Sequence, residues 1–206
     1  GFRPNRGCHT ALQEIQIWKG TRWFIEGDIS KYFDTIDHDV LLKILEKNIH
    51  DGRFLRLISN MLKAGYLDDW KFNQTISGTP QGGVISPLLA NIYLNEFDQW
   101  IENTLIPQYT KGKRQKSNPV YNRMNAEISK ARKNGDMQTA HKLEVERRNI
   151  PSVDPYDENY RRCRYVRYAD DFLIGFTGSK ADAEEIKAAM HNFLENELHL
   201  ELSQEK

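Results

Sequence analysis

The chain has 206 residues, 39% hydrophobic and 28% charged, with 29 Lys and Arg balanced by 29 Asp and Glu. That length supports one large domain with a real core, the composition excludes a disordered chain, and the overall charge balance points to no partner. The two cysteines, Cys8 and Cys163, lack metal-ligand spacing, the six histidines form no HExxH-type cluster, and no apolar run nears membrane-spanning length. A reduced, intracellular setting without a membrane partner is therefore expected. The chain begins at "GFRPNRG" without Met and is expected to be a piece of a longer protein.

In chain order, His9 to Trp18 has apolar residues at helical spacing. "TRWFIEGDIS" is rich in aromatic and β-branched residues and predicts a strand ending near Asp28. "DHDVLLKILEKNI" and "RFLRLISNMLKAG" predict two helices, the second closed by Gly65. "SGTPQGG" is loop, and "SPLLANIYLNEFDQWI" predicts a helix with Ser86 as N-cap and Pro87 at the first helical position. Residues 108–163 break the pattern, with 13 Lys and Arg against 7 Asp and Glu. They predict a basic surface insertion holding a helix pair around 119–149, either a solvated hairpin or a contact for a polyanion. Two apolar strands flank Ala169-Asp170-Asp171, Ser179 caps a helix running to about Asn196, and "LHLELS" predicts a closing strand. The elements together predict an α/β (α+β) fold, an antiparallel sheet backed by helices.

Two adjacent aspartates between apolar runs pose a question of charge. Like charges this close disfavour each other, so the pair faces water at a tight turn or shares a cation. Asp28 ends another predicted strand. If that strand neighbours the hairpin, Asp28, Asp170 and Asp171 converge at one sheet edge. Such a site suits hard cations with oxygen ligands, Mg²⁺ above all, and two ions about 3.5–4 Å apart form the clamp for in-line phosphoryl displacement. Phe33, five residues after Asp28, is either a core phenylalanine or a ring that walls a sugar pocket and excludes a 2′-hydroxyl. In "SGTPQGG", Gly82 and Gly83 permit close backbone approach to a ligand, and Gln81 supplies a donor and acceptors between loop and helix.

The blocks "GFRPNRGCHTAL", "EGDISKYFDTIDH", "SGTPQGGVISPLLANIYLNEFD", "RYVRYADDFLIGF" and "LHLELSQEK" occur in this order. Together they resemble the reverse transcriptases encoded by group II introns, also called maturases. The resemblance spans nearly the whole chain, including the basic insertion at about 108–163. It implies a right-hand polymerase palm with partial fingers over residues 1–206, without thumb or maturase domain. It implies RNA-templated DNA synthesis from dNTPs on a primer, with two Mg²⁺ ions for which Mn²⁺ could substitute.

By the same resemblance Asp28, Asp170 and Asp171 match the catalytic, metal-binding aspartates, and the main-chain carbonyl of Ile29 adds a metal ligand. The backbone at Lys31 and Tyr32 borders the triphosphate, Phe33 discriminates the sugar, and Gln81 contacts the nucleotide. Lys206 stands where a lysine could protonate the pyrophosphate leaving group. Arg3 and Arg6 would line the template path. Intron RNA, bound to assist splicing, would meet Lys111, Lys113, Arg114, Lys116, Arg132 and Lys133. Truncated fingers would expose apolar surface and promote homodimers. Two other functions remain open: a non-catalytic RNA-binding splicing cofactor, and an RNA-templated RNA polymerase, against which Phe33 argues.

Overall fold

The structure is a computed structural model that describes residues 3–30, 32–64, 66–68, 71–73, 78 and 84–203. Among these residues the main sheet has three antiparallel strands, β1 (Trp23–Gly27), β4 (Arg162–Tyr168) and β5 (Asp171–Thr177), in the order β1-β5-β4. A separate two-stranded ribbon pairs β2 (Tyr66–Asp68) with β3 (Lys71–Asn73), which the residue pattern did not suggest. The helices are α1 (Cys8–Gln16), α2 (Tyr32–Thr35), α3 (His38–Glu46), α4 (Gly52–Lys63), α5 (Ser86–Trp100), α6 (Ile106–Gln108), α7 (Pro119–Lys133), α8 (Met137–Arg147) and α9 (Lys180–Leu198). A π-helical segment, Ile101–Leu105, joins α5 to α6.

The central strand β5 is buried along most of its length. Phe172, Ile174 and Phe176 face the core, and Asp171 is exposed at its start. Above them Phe97 of α5 makes edge contacts with Phe172 and Tyr165 at centroid distances of 5.2 and 6.2 Å. Trp100 stacks on Phe193 of α9 at 4.5 Å. Caps set the helix starts. Asp37 accepts from the Asp39 and Val40 amides, Asp51 from Arg53 and Phe54, and Ser179 exchanges bonds with Asp182 in a capping box.

Two expectations fail locally. Ser86 is not an N-cap; it is the first helical residue, and Ile85 precedes it with helical backbone and no side-chain cap. Pro87, lacking an N–H, fits the first turn wherever the helix begins. "LHLELS" forms no strand; α9 runs on to Leu198, and His199 then turns the chain with φ 50°. Leu202 keeps one isolated bridge to Ile29.

The insertion leaves the body through a neck where Lys111 and Arg161 exchange backbone hydrogen bonds of 3.0 and 2.9 Å. Beyond it α7 and α8 form a helical hairpin, turned at Gly135 with φ 76°, and Ile128 and Ala140 are its buried helix residues.

Candidate active site

Register brings two of the sequence blocks together. Gly27, the last residue of β1, pairs with Phe172 of β5, so Asp28 leaves β1 at the sheet end where β5 begins with Asp171. Gly27 is needed for this pairing, because a Cβ there would lie 2.1 Å from the Phe172 ring. On the other side β4 pairs Tyr168 with Asp171, leaving Ala169 and Asp170 as a two-residue turn. Ala169 has φ 57°, a left-handed conformation that costs an L-residue roughly 1–2 kcal/mol. Asp28, Asp170 and Asp171 thus share one end of the sheet.

The carboxylates at the hairpin tip part company. Asp170 lines a small recess with Tyr32, Phe33, Pro87, Ala90, Asn91 and Arg167. Asp171 lines a groove of about 380 Å³ beneath α1, beside Glu26 and Tyr168. Among the described residues no three His, Cys, Asp or Glu side chains are grouped to hold a metal ion. The donors at this end are nonetheless all oxygen, as hard cations require. Mg²⁺ is usually held by one or two carboxylates, with water and substrate phosphates completing its shell, so carboxylates at this sheet end need no preformed cage to suit it. The Ile29–Leu202 bridge uses Ser30 N–H to Glu201 C=O and Ser203 N–H to Asp28 C=O, and leaves the Ile29 carbonyl out of its bonding.

Beneath the turn lies a charge network that the sequence reading missed. Arg167 donates from Nε to one Asp98 oxygen at 2.8 Å and from Nη2 to the other at 2.6 Å. Its Nη1 donates to the Ala169 carbonyl at 2.6 Å. The Tyr165 hydroxyl donates to Asp98 at 2.7 Å, and Arg3 joins at 3.2 Å. The Arg167 and Asp98 side chains are only 5% and 12% exposed, so both charges depend on each other for solvation. Burial alone would raise the Asp98 pKa; the hydrogen bond and charge of Arg167, with Tyr165 and Arg3, outweigh it and hold the carboxyl below its ordinary value. Burial pushes the Cys163 thiol up to about 12, which keeps it protonated and inert.

Across the recess, Tyr32 is buried and its hydroxyl donates to the Ala90 carbonyl of α5. Phe33 is half-buried beside it, centroids 5.5 Å apart. Gly78 presses on this segment: a Cβ there would meet the Phe33 carbonyl at 2.5 Å, and its φ is 89°. His38 is 2.6 Å from the Gly78 carbonyl through Nε2, which must carry the proton because a carbonyl only accepts. The Gly78 amide donates to Ile36 at 2.8 Å. The start of the glycine-rich loop is thereby pinned against the Phe33 backbone. Lys31, Gln81 and Lys206 lie outside the described residues.

Of the basic residues, Arg3 and Arg6 line a cleft of about 260 Å³ shared with Arg167, and Arg3 is partly neutralised by Asp98. Lys111, Lys113, Arg114 and Lys116 are exposed along the neck. On the helical hairpin Arg132 is paired with Glu144, and Lys133 is exposed. Among the described residues no helix is long and apolar enough to cross a membrane.

Residues 1–130 match the family described as Reverse transcriptase (RNA-dependent DNA polymerase). Over its full length the chain is 41% identical to the group II intron-encoded protein LtrA of Lactococcus lactis subsp. cremoris, covering 36% of that protein. It is 43% identical to the putative COX1/OXI3 intron 1 protein of Saccharomyces cerevisiae, covering 24% of it. It is 25% identical to nuclear intron maturase 1, mitochondrial, of Arabidopsis thaliana, covering 34%. The chain therefore spans about a quarter to a third of the length of these relatives.

Proposed function

The chain belongs to the reverse transcriptase (RNA-dependent DNA polymerase) family, and from that premise we propose that it is the fingers–palm part of a group II intron maturase that copies RNA into DNA. The observation that supports this reading is the strand register, which brings the end of β1 before Asp28 and the start of β5 at Asp171 to the same end of the sheet as the Ala169-Asp170 turn. Asp28, Asp170, Asp171 and the Ile29 carbonyl would hold Mg²⁺. When bound, the metal pair acidifies the primer 3′-hydroxyl and neutralises charge on the phosphate oxygens.

The chain's own residues orient the reactants. The backbone at Lys31 and Tyr32 borders the triphosphate; the Tyr32 hydroxyl is committed to Ala90, which leaves that role to main chain. Phe33 flanks the recess of Asp170, where a ring can meet C2′ of the incoming sugar and reject a hydroxyl. Gln81 contacts the nucleotide from a loop whose start His38 pins at Gly78. Lys206 would donate the proton to departing pyrophosphate. Arg3 and Arg6 follow the template. The exposed bases of the neck and hairpin bind phosphates of intron RNA during splicing, in a salt-dependent way. Leu12, Ile17 and Phe24, exposed at 59%, 62% and 57%, are the apolar residues through which homodimers would form.

One observation favours a second reading, an RNA-binding splicing cofactor without catalysis: the aspartates form no ready-made cluster of three. Primer extension by the full-length protein on an RNA template, with dNTPs and Mg²⁺, separates the two. Extension by the wild type that Asp170→Asn abolishes, with RNA binding retained, supports the polymerase. Extension that survives the substitution rejects the metal assignment, and RNA binding without any wild-type extension selects the cofactor.

A further inference from the structure

We propose that Arg167 is a positioning residue for Asp170. The inference rests on the reading of Asp170 as a metal ligand and adds a device that sets its direction. The Ala169 carbonyl belongs to the same planar peptide unit as the Asp170 amide, so whatever fixes that oxygen fixes the start of Asp170. Arg167 Nη1 holds the oxygen at 2.6 Å. The turn needs such a hold, because Ala169 sits at φ 57° with no glycine to ease it.

The guanidinium is itself fixed. Its Nε and Nη2 form a two-pronged grip on both Asp98 oxygens, at 2.8 and 2.6 Å. Asp98 is locked in turn by the Tyr165 hydroxyl and by its place on α5, between Phe97 and the end of the helix. All three directions of the planar fork are used at once: two to the carboxylate, one to the turn. Lysine has the charge but not the fork, and cannot reach both partners from one point. Because α5 also carries Ala90, which receives the Tyr32 hydroxyl, one helix references the metal-side turn and the nucleotide-side segment to each other.

The test uses the full-length protein and the variants R167K and D98N, with folding checked by thermal melting. R167K is expected to keep RNA affinity and KM for dNTP near wild type. Its kcat is expected to fall, and Mn²⁺ binding followed by electron paramagnetic resonance without substrate to weaken, each by about 10–100-fold, the scale for groups that orient metal ligands. D98N, which keeps the shape but removes the charge that holds Arg167, should give the same split and substitutes for R167K if that variant does not fold. Folded variants with wild-type kcat and wild-type Mn²⁺ affinity would overturn the proposal, as would a loss confined to KM. D170N run alongside separates the two ideas. If it blocks extension while R167K does not, only the Arg167 role fails. If it leaves extension intact, the site assignment itself fails. The Mn²⁺ measurement decides the Arg167 role even if no primer is extended.

Discussion

The sheet end and the α7–α8 hairpin use the same charged residue types in opposite ways. Beneath the Ala169-Asp170 turn, Arg167 and Asp98 are paired at 5% and 12% exposure. On the hairpin, Arg132 and Glu144 are paired at 59% and 24%. A buried pair cannot exchange its partner for water, so it holds direction; an exposed pair can, so it holds little beyond local charge. The contrast fits the proposed division between carboxylates that must be aimed and an insertion that presents positive charge to a polyanion.

The sharpest way to break this contrast is to remove one member of each pair. Asp98→Ala leaves Arg167 buried without its counter-charge and is expected to cost about 3–5 kcal/mol in denaturant unfolding. Arg132→Ala on the hairpin is expected to cost about 1 kcal/mol or less by the same measurement. Equal losses would contradict the division. Acid sharpens it further. The Asp98 carboxyl titrates below its ordinary value in the folded state. Its contribution is therefore present above the unfolded-state pKa of about 3.9 and is lost as pH falls through the lower, folded value. Below about pH 4 the stability gap between wild type and D98N should shrink, and a gap that grows with acid would reverse the sign.

A smaller effect is expected at the nucleotide side of the recess. Phe33→Ala should raise incorporation of ribonucleotides over deoxyribonucleotides, read by extension with each rNTP in turn. Unchanged discrimination would return Phe33 to the core. His38→Gln, which can still donate to Gly78 but from a different reach, should raise KM for dNTP a few-fold, about 1 kcal/mol or less by the net worth of one hydrogen bond, with stability nearly intact. A change in kcat alone would place His38 elsewhere in the cycle.

Much of this was legible in the residues because it is local. "RYVR" and "FLIGF" carry the strand pattern on either side of a short turn, and the apolar stripe of α5 supplies Leu89, Tyr93, Leu94 and Phe97 to the core. Ser179 is legible as a cap before its helix, whereas Asp37 and Asp51 cap theirs from positions that the apolar pattern alone does not single out. The Asp98–Arg167 pair escaped notice because its partners lie 69 positions apart. Each also looks solvent-facing by type, Asp98 as a polar break in an apolar stripe and Arg167 as a strand-end cation. The signal available was that Asp98 follows Phe97 directly on a helix whose neighbours are buried. "LHLELS" misled because alternation is a necessary feature of a strand but not a sufficient one. Buried Leu198, at the end of α9, and Leu200, just past the His199 turn, cap the core instead. The hydroxyl of Tyr93, donating to the Leu198 carbonyl at 2.7 Å, takes up a backbone group that the end of α9 leaves without an intrahelical partner.

Asp28 and Asp170 are proposed to hold one shared divalent ion. Mn²⁺ titration of the full-length protein tests it directly, on wild type, D28N, D170N and the double variant. Either substitution alone is expected to remove most of the tight binding and the double variant to lose little more, the coupling expected of two ligands to one ion. Two independent losses that simply add, or tight binding that persists in the double variant, would contradict it.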